Sequence, residues 1–354
     1  MHFPILRTPF IVQSEIISLL KPNQIVTVSF CSRIVNRLLK GHYQRMKPME
    51  WKLVMADTDS LPHVSIETEY KSKDDKTMIV IAAEDFSELN KSTPIPNKGY
   101  ATTFATEYPV IYFKDRVMAV QWVVVYVTDL FNLDVYELAI DTNGFWAIDW
   151  LNNRQGKMLV RFAWYGNEAL DYVLRNARAS EYYTLSGNVS DNYRFDGILG
   201  PANYLSISSN GHWVTLDNLI NFDFASIYVR RCRLSVPDLY AFIGHWLSGG
   251  SPRLTFLSLV FENQLDFEQL DLEHFEDELE VVERDVVGEF RLSDGENIQF
   301  DEGYSIQRSD GVKAVIEFGE VAFVLMVCIG ENVYDRDNYL KRNSDQQFVL
   351  HQNV

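Results

Sequence analysis

The sequence predicts an α+β protein in which three N-terminal helices precede a small antiparallel sheet and a body of alternating strands and helices. Three observations predict this order. The first forty residues hold apolar runs broken by helix-capping residues, and residues 51–113 hold short alternating runs. After residue 116, helical and strand-like patterns alternate, and Asp310-Gly311 near the end predicts a closing β-hairpin.

The N-terminal helices are predicted from their capping residues. Ser14 is suited to cap the first helix, Pro22 breaks the chain before the second, and Ser32 is suited to cap the third. On the first helix, the apolar residues from Ile16 to Leu20 cover an arc of about 160°, which is wider than one core-facing stripe requires. The excess arc is expected to contact either a partner or the rest of this chain, and the pattern leaves both open.

The N-terminal residues resemble a known module. Pro9, Ile16, Leu20, Pro22, Ile25, Val28 and the segment Cys31-Ser32-Arg33 are spaced as in an F-box, and the opening FPILRTPF of residues 3–10 is similar to that of nematode F-box proteins. Ile34 and Val35 stand where many F-boxes have a Trp. The resemblance implies that the module binds the Skp adaptor of cullin-based ubiquitin ligases. The adaptor-binding residues that it implies are Pro9, Ile16, Leu19, Leu20, Ile25 and Val28.

A strand-rich lead-in follows the helices. Short apolar or alternating runs at residues 51–55, 64–70, 78–82 and 110–113 are separated by polar clusters, a pattern typical of a small antiparallel sheet. Residues 91–99, with two prolines and a glycine, are the most loop-like segment here.

The body alternates helices with strands at a rough repeat. Helical patterns at 118–130, 145–153, 168–176 and 237–247 alternate with strand-like runs at 135–140, 158–164, 181–185, 227–234 and 254–261. Successive strands start 23, 23, 46 and 27 residues apart, so the interval of 46 is either two steps or one step with a loop inserted over residues 197–211. This spacing predicts a leucine-rich-repeat-like α/β arc, and an ordinary three-layer α/β sheet is the alternative.

Two segments of the body carry a second resemblance. WVTLDNLI at 213–220 and DLYAFIGHWLSGGSPRL at 238–254 are similar to the F-box-associated type 2 domain of the nematode proteins, and GYSIQRSDGVKAVI at 303–316 is similar to its closing hairpin. Gly249-Gly250 supplies a left-handed helix stop, so these residues indicate architecture. The predicted divisions are an F-box at 1–46, a lead-in at 47–115, an F-box-associated body with its hairpin at 116–333 and a polar tail at 334–354.

Charge and composition exclude several classes of function. The net charge of −17 is uneven, because residues 1–46 carry a net +5 and residues 261–302 a net −14. An acidic body argues against nucleic-acid binding. The opening does not look like a signal peptide, and the most apolar runs are shorter than the roughly 20 residues of a membrane helix. The three scattered cysteines are typical of reduced thiols, so we expect the protein in the cytoplasm or nucleus. From the short apolar runs we expect no membrane partner.

Catalytic and metal-binding patterns are not found in the sequence. The acidic segment 261–302 holds apolar positions at helical spacing, which favours a solvated acidic face and no metal site. His245 beside Trp246 has no nucleophile or carboxylate at a recognisable spacing, so we interpret it as structural. The arginines at 230, 231 and 233 alternate along a strand and make a poor groove-binding patch. We therefore expect no cofactor and no enzymatic activity in this subunit.

The leading functional hypothesis is a substrate-receptor subunit of a Skp-cullin-F-box ubiquitin ligase. The helices would bind the Skp adaptor and, through it, cullin, while the body would hold a protein target for ubiquitination and proteasomal degradation. Two-residue alternation in the strands predicts that Glu137, Arg161, Thr184, Arg230 and Ser258 point outward toward the target; loops around Pro94 and Gly200 are the next candidates. The alternative is a non-degradative protein-binding scaffold whose helices only pack internally.

Overall fold

The N-terminal helices begin at Phe10 and occupy the predicted places. In the computed structural model, which describes residues 8–48, 50–58, 62–68, 77–83, 101–103, 108–113, 115–156, 159–265, 281–291 and 297–328, they are α1 (Phe10–Ser18), α2 (Pro22–Cys31) and α3 (Arg33–Arg45). Ser32 caps α3 as predicted, because its hydroxyl accepts a hydrogen bond from the Ile34 amide at 3.2 Å. The prediction that Ser14 caps the first helix is wrong, since α1 begins four residues earlier, directly after Pro9.

The chain divides into two compact units, Met1–Ala163 and Trp164–Val354. The division lies inside the segment 116–333 that the sequence suggested as one body. After α1–α3 the first unit continues with β1 (Trp51–Asp57), β2 (His63–Thr68), β3 (Thr77–Ala83), β4 (Ala101–Thr103), β5 (Val110–Tyr112), α4 (Arg116–Phe131), β6 (Val135–Ile140) and α5 (Trp146–Arg154). Its last strand is β7 (Leu159–Tyr165), whose final two residues lie beyond Ala163.

The lead-in sheet is mixed rather than purely antiparallel. β1, β2 and β3 pair antiparallel in the predicted way, but β3 pairs parallel with β5, and β4 pairs antiparallel with β5. On its other side, β1 pairs parallel with β6, which pairs parallel with β7. The strand order in this unit is therefore β7-β6-β1-β2-β3-β5-β4.

Helices α2 and α3 are attached to α4 by an aromatic cluster around Tyr126. The Tyr126 ring stacks on Phe30 at a centroid distance of 4.5 Å and on Trp122 at 5.2 Å. Its hydroxyl contacts Ser29 Oγ at 2.7 Å and accepts a hydrogen bond from Asn36 Nδ2 at 2.6 Å. The inner faces of α2 and α3 are thus occupied within the first unit.

The second unit contains a run of parallel strands in sequential order. Its elements are α6 (Asn167–Asn176), β8 (Tyr182–Asn188), β9 (Leu199–Ile207), α7 (Leu216–Asn221), β10 (Phe222–Cys232), α8 (Val236–Leu247) and β11 (Phe256–Phe261). β8 pairs parallel with β9, β9 with β10, and β10 with β11. β9 lies in the segment 197–211, so the interval of 46 residues is two strand steps, and the inserted-loop alternative is wrong.

The closing hairpin is part of a larger antiparallel arrangement. The predicted turn joins β13 (Asn297–Gln307) to β14 (Lys313–Gly319), and Gly311 at its tip has a φ of 88°, which favours glycine. β12 (Glu283–Arg291) pairs with β13, and β15 (Ala322–Val327) pairs with β14 and β11. The strand order in this unit is therefore β12-β13-β14-β15-β11-β10-β9-β8.

The residues at the end of α8 are structural, as the sequence indicates. Gly249 has a φ of 92°, and the Gly250 amide donates to the His245 carbonyl at 2.9 Å. A Cβ on Gly250 would lie 2.1 Å from the His245 ring, so the ring and the glycine are packed directly together. The buried Trp246 lies under the Arg308 guanidinium at 5.3 Å, which joins α8 to the closing hairpin.

Candidate functional site

The outer face of α1 exposes large apolar side chains. Ile11 is 74% exposed and Leu19 is 82% exposed, whereas Ile17 on the opposite side of the helix is buried at 2%. Phe10 is 42% exposed and lies 5.0 Å beneath the Arg45 guanidinium of α3. Apolar surface of this kind, next to basic side chains, is typical of a protein contact surface. We call the exposed Ile11 and Leu19 side the α1 outer face.

The six adaptor residues implied by the F-box resemblance have different surroundings. Pro9 and Leu19 are exposed, and Ile16, Leu20 and Val28 are partly buried. Ile25 is fully buried at 0% exposure, so it packs within the chain and cannot contact an adaptor surface. Ile11 is not among the six, since the F-box spacing that supplies them passes from Pro9 directly to Ile16, and its exposed side chain adds it to the candidate contact surface.

Strands β8–β11 in the second unit have two chemically different faces. One face is apolar and buried. Its Val229 packs closely against Gly211, because a Cβ added to that glycine would lie 2.4 Å from the Val229 side chain. Its members are Tyr183, Leu185, Leu205, Ile207, Ile227, Val229, Leu257 and Leu259. The alternate positions form the second face, which we call the hydroxyl face. Its polar members are Tyr182, Thr184, Tyr204, Ser206, Ser226, Tyr228, Arg230 and Ser258, and on β11 Ser258 is flanked on this face by the apolar Phe256 and Val260.

The hydroxyl face consists of partly exposed tyrosines above a floor of small hydroxyl side chains. Tyr182 and Tyr204 are register neighbours whose rings stack at 4.9 Å with an angle of 8° between their planes. Ser206 and Ser258 are only 8% exposed, because the small side chains lie between larger neighbours. Tyrosine and serine together are the residues that antibody binding loops use most for protein recognition, since they combine rigid contact area with adaptable hydrogen bonding.

The predicted target-facing residues are only partly brought together. Thr184, Ser258 and Arg230 share the hydroxyl face, where Thr184 and Ser258 lie in the cross-strand row that runs through Ser206 and Tyr228. Arg230 is exposed, as expected from the buried Ile227 and Val229. Ser258, however, is buried, and the Thr184 hydroxyl is enclosed and has no hydrogen-bond partner among the described residues. Ser258 and the Thr184 hydroxyl therefore lie beneath the exposed surface of the hydroxyl face and are not placed to contact a target.

The remaining two target-facing predictions belong to the first unit. Glu137 is 5% exposed, so the prediction that it points into solvent is wrong. Its register neighbour Val54 is buried at 1%, and Leu53 and Met55 beside it are buried as well, so β1 is covered on both faces where it pairs with β6. The side chain of Arg161 lies outside the described residues, as do the loop around Pro94, residues 266–280 of the acidic segment and the tail 334–354.

Charged side chains cluster where β10 and β11 end. Arg233 pairs with Asp191 at 2.9 Å and with Glu262, and Arg231 lies 3.4 Å from Glu262. The hydrogen bond from Arg233 holds the pKa of Glu262 below its usual value. No ion pair between Arg230 and a carboxylate is found among the described residues, and the Arg230 side chain is exposed.

Groups for metal or nucleophilic chemistry are not assembled in the described residues. Those residues contain no cluster of three or more His, Cys, Asp or Glu side chains with metal-binding geometry. Burial raises the pKa of the Cys232 thiol to about 12, which makes its thiolate scarce at neutral pH. Among the described helices, none combines the length and apolar character that crossing a bilayer requires.

Comparison with known families gives one match. Residues 197–259 match the family described as F-box associated. The match covers β9, α7, β10, α8 and the first part of β11, and it therefore includes Tyr204, Tyr228 and Arg230 of the hydroxyl face. No curated protein and no solved structure matches the chain.

Proposed function

We propose that this protein is the substrate-receptor subunit of a Skp-cullin-F-box ubiquitin ligase. One combination of features carries the proposal: an F-box-associated domain over residues 197–259 follows, in the same chain, a three-helix module whose α1 outer face is apolar and exposed. In this proposal the module is an F-box that binds the Skp adaptor through that face. The net +5 of residues 1–46 favours an acidic partner surface.

The proposed contribution of the subunit is proximity and not chemistry. A target held on the second unit raises the effective concentration of its lysines near a ubiquitin-loaded enzyme that the cullin recruits. The sequential parallel order of β8–β11, with α7 between β9 and β10 and α8 between β10 and β11, supports a leucine-rich-repeat-like body, which stacks strand-helix units and presents one strand face to a ligand. The hydroxyl face is that surface in our proposal.

The packing of α2 and α3 on α4 favours the second candidate function, a scaffold whose helices only pack internally. Ile25, Val26 and Leu39 are all buried at 1% or less, so much of the module's apolar surface is used within the chain. That packing does not cover Ile11 and Leu19, which an internal role leaves unexplained.

Charged substitutions on the α1 outer face separate the two functions. Ile11→Asp and Leu19→Asp in the full-length chain are expected to abolish co-purification with purified Skp adaptor, because each places an unpaired charge in an apolar interface. Ile198→Asp is the matched control, since Ile198 is 77% exposed in the second unit and is expected to leave adaptor binding unchanged. Unchanged circular dichroism of all three variants shows that the fold is intact.

No adaptor binding by any of the three chains refutes the receptor proposal, and equal binding by the wild-type chain and the two α1 variants refutes the assignment of that binding to the α1 outer face. Deleting the module is a poorer test than these substitutions. Removal of α2 and α3 would uncover Tyr126 and Phe131 of α4, and the first unit would then lose part of its core.

A further inference from the structure

We propose that the hydroxyl face binds an extended segment of the target protein, and that Arg230 selects a segment with an acidic side chain at one fixed position. This inference rests on the proposed function, because it assigns the target class to the same surface. It goes further by naming the chemistry of the ligand. The occupant is an extended peptide segment that carries a ring or other apolar side chain followed by an aspartate or glutamate.

The tyrosines supply the apolar part of the site. Tyr182, Tyr204 and Tyr228 are partly exposed, and the stacked pair of Tyr182 and Tyr204 presents a rigid edge of ring surface. Ring faces and edges of this kind favour proline and aromatic partners, which lose little conformational entropy on binding. Ser206 and Ser226 beneath them are small and nearly buried, so the ring residue of the ligand is expected to lie against the tyrosine rings.

Arg230 supplies the charge that sets the orientation of the segment. Of the hydroxyl-face residues, it is the only one with an ionised side chain at neutral pH. Its neighbours Arg231 and Arg233 make this end of β10 a basic spot in a chain of net charge −17. Because those two arginines are already paired with Glu262, the guanidinium of Arg230 is the one suited to bind a carboxylate with two parallel hydrogen bonds.

The strand register fixes the spacing that the ligand needs. Tyr204 is the register neighbour of Ser226, which precedes Arg230 by four residues. At a rise of about 3.3 Å per residue, the tyrosine pair and Arg230 therefore lie about 13 Å apart along the strands. An extended ligand that runs in the strand direction spans this distance in four residues, and its residues i and i+4 point to the same side. The predicted ligand thus has its acidic residue four positions from its ring residue.

A synthetic peptide array tests this spacing. The probe is a set of ten-residue peptides in which a proline or tyrosine is separated from an aspartate by two to six positions, together with matching peptides that carry asparagine. We expect purified full-length protein to bind the four-residue spacing most strongly and the three- and five-residue spacings least. Replacing the aspartate by asparagine is expected to weaken binding about tenfold, the loss typical of a charge-assisted contact.

Variants of the protein assign the effect to the hydroxyl face. Arg230→Glu is expected to remove the preference for aspartate, and Tyr204→Ala to remove binding of the ring residue, whereas Tyr204→Phe retains it. Arg178→Glu is the matched control, because Arg178 is an exposed arginine outside the hydroxyl face and carries the same charge change. Melting temperatures confirm that the variants are folded, and Arg230→Gln provides a milder form of the same test.

Two results overturn the inference: an array signal that does not depend on aspartate or its spacing, or an Arg230→Glu variant that keeps the wild-type preference. Equally strong binding to every peptide of the array is a case of the first result, since it identifies a nonspecific surface. Adaptor co-purification is measured on the same variants and is expected to stay unchanged. A failed array with intact adaptor binding therefore refutes this site alone, and an array result with no adaptor binding refutes the receptor function alone.

Discussion

Removing the hydroxyl group of Tyr126 is expected to weaken the attachment of the helical module to α4. Ser29 Oγ already donates to the Val26 carbonyl at 2.6 Å, so the Tyr126 hydroxyl donates to Ser29 and accepts from Asn36. Tyr126→Phe deletes both hydrogen bonds and keeps the ring stacks. At about 1 kcal/mol for each net hydrogen bond, the free energy of unfolding of the first unit should fall by about 1–2 kcal/mol.

Urea denaturation followed by tryptophan fluorescence measures this change in the full-length chain. Tyr136→Phe is the matched control, because it removes the same atom from a partly buried tyrosine whose contact is a cation–π interaction with Lys52. A double-mutant cycle of Tyr126→Phe with Asn36→Ala should give a coupling energy of about 1 kcal/mol. Equal shifts of the midpoint for the two Tyr→Phe variants, or no coupling with Asn36, would show that the module is not held on α4 in this way.

Two further predictions concern ionisable groups of the first unit. Burial lowers the pKa of His42 below its usual 6.5. As the pH falls, the unfolded chain therefore binds a proton at His42 before the folded chain does. The stability that His42 contributes above pH 6.5 is lost as the pH falls through its folded-state pKa. His42→Phe should reduce the difference in denaturation midpoint between about pH 7.5 and about pH 5.5, and an unchanged difference contradicts the assignment. Asp57 is fully buried and accepts hydrogen bonds from Arg116 Nε at 2.9 Å and Trp146 Nε1 at 2.8 Å. Asp57→Ala should lower the free energy of unfolding by about 3 kcal/mol, which is the low end for breaking a buried ion pair because Arg116 is partly exposed. Asp129→Ala, which removes an exposed ion pair, should lower it by less than about 1 kcal/mol. Equal midpoints for those two variants would contradict the network.

Local signals in the sequence predicted much of the secondary structure. Ser32 before α3, Pro237 at the start of α8, Gly249 after it and the Asp310-Gly311 turn each act within a few residues, so the chain around them hardly changes their effect. The four predicted body helices also begin and end within about two residues of their predicted bounds, as expected for strongly periodic segments, whereas the short α7 was not predicted.

The sequence was less informative where structure depends on distant partners. The spacing of the strands left open whether residues 197–211 hold a strand or an inserted loop, and β9 forms there because β8 and β10 pair with it on both sides. Glu137 follows the alternation that predicts an outward side chain, yet alternation cannot show whether the second face is covered. Tyr204 and Tyr228 became part of a candidate site only when parallel pairing placed their strands side by side.

Assembly with purified adaptor and cullin tests the central claim most directly. The full-length chain, the Skp adaptor and cullin are mixed in pairs and all together, and complexes are separated by size-exclusion chromatography with light scattering. The receptor function predicts a one-to-one complex of the chain with the adaptor, and cullin joining the chain only when the adaptor is present. A chain that elutes alone in every mixture, with its α1 outer face intact and its fold verified by circular dichroism, would contradict it.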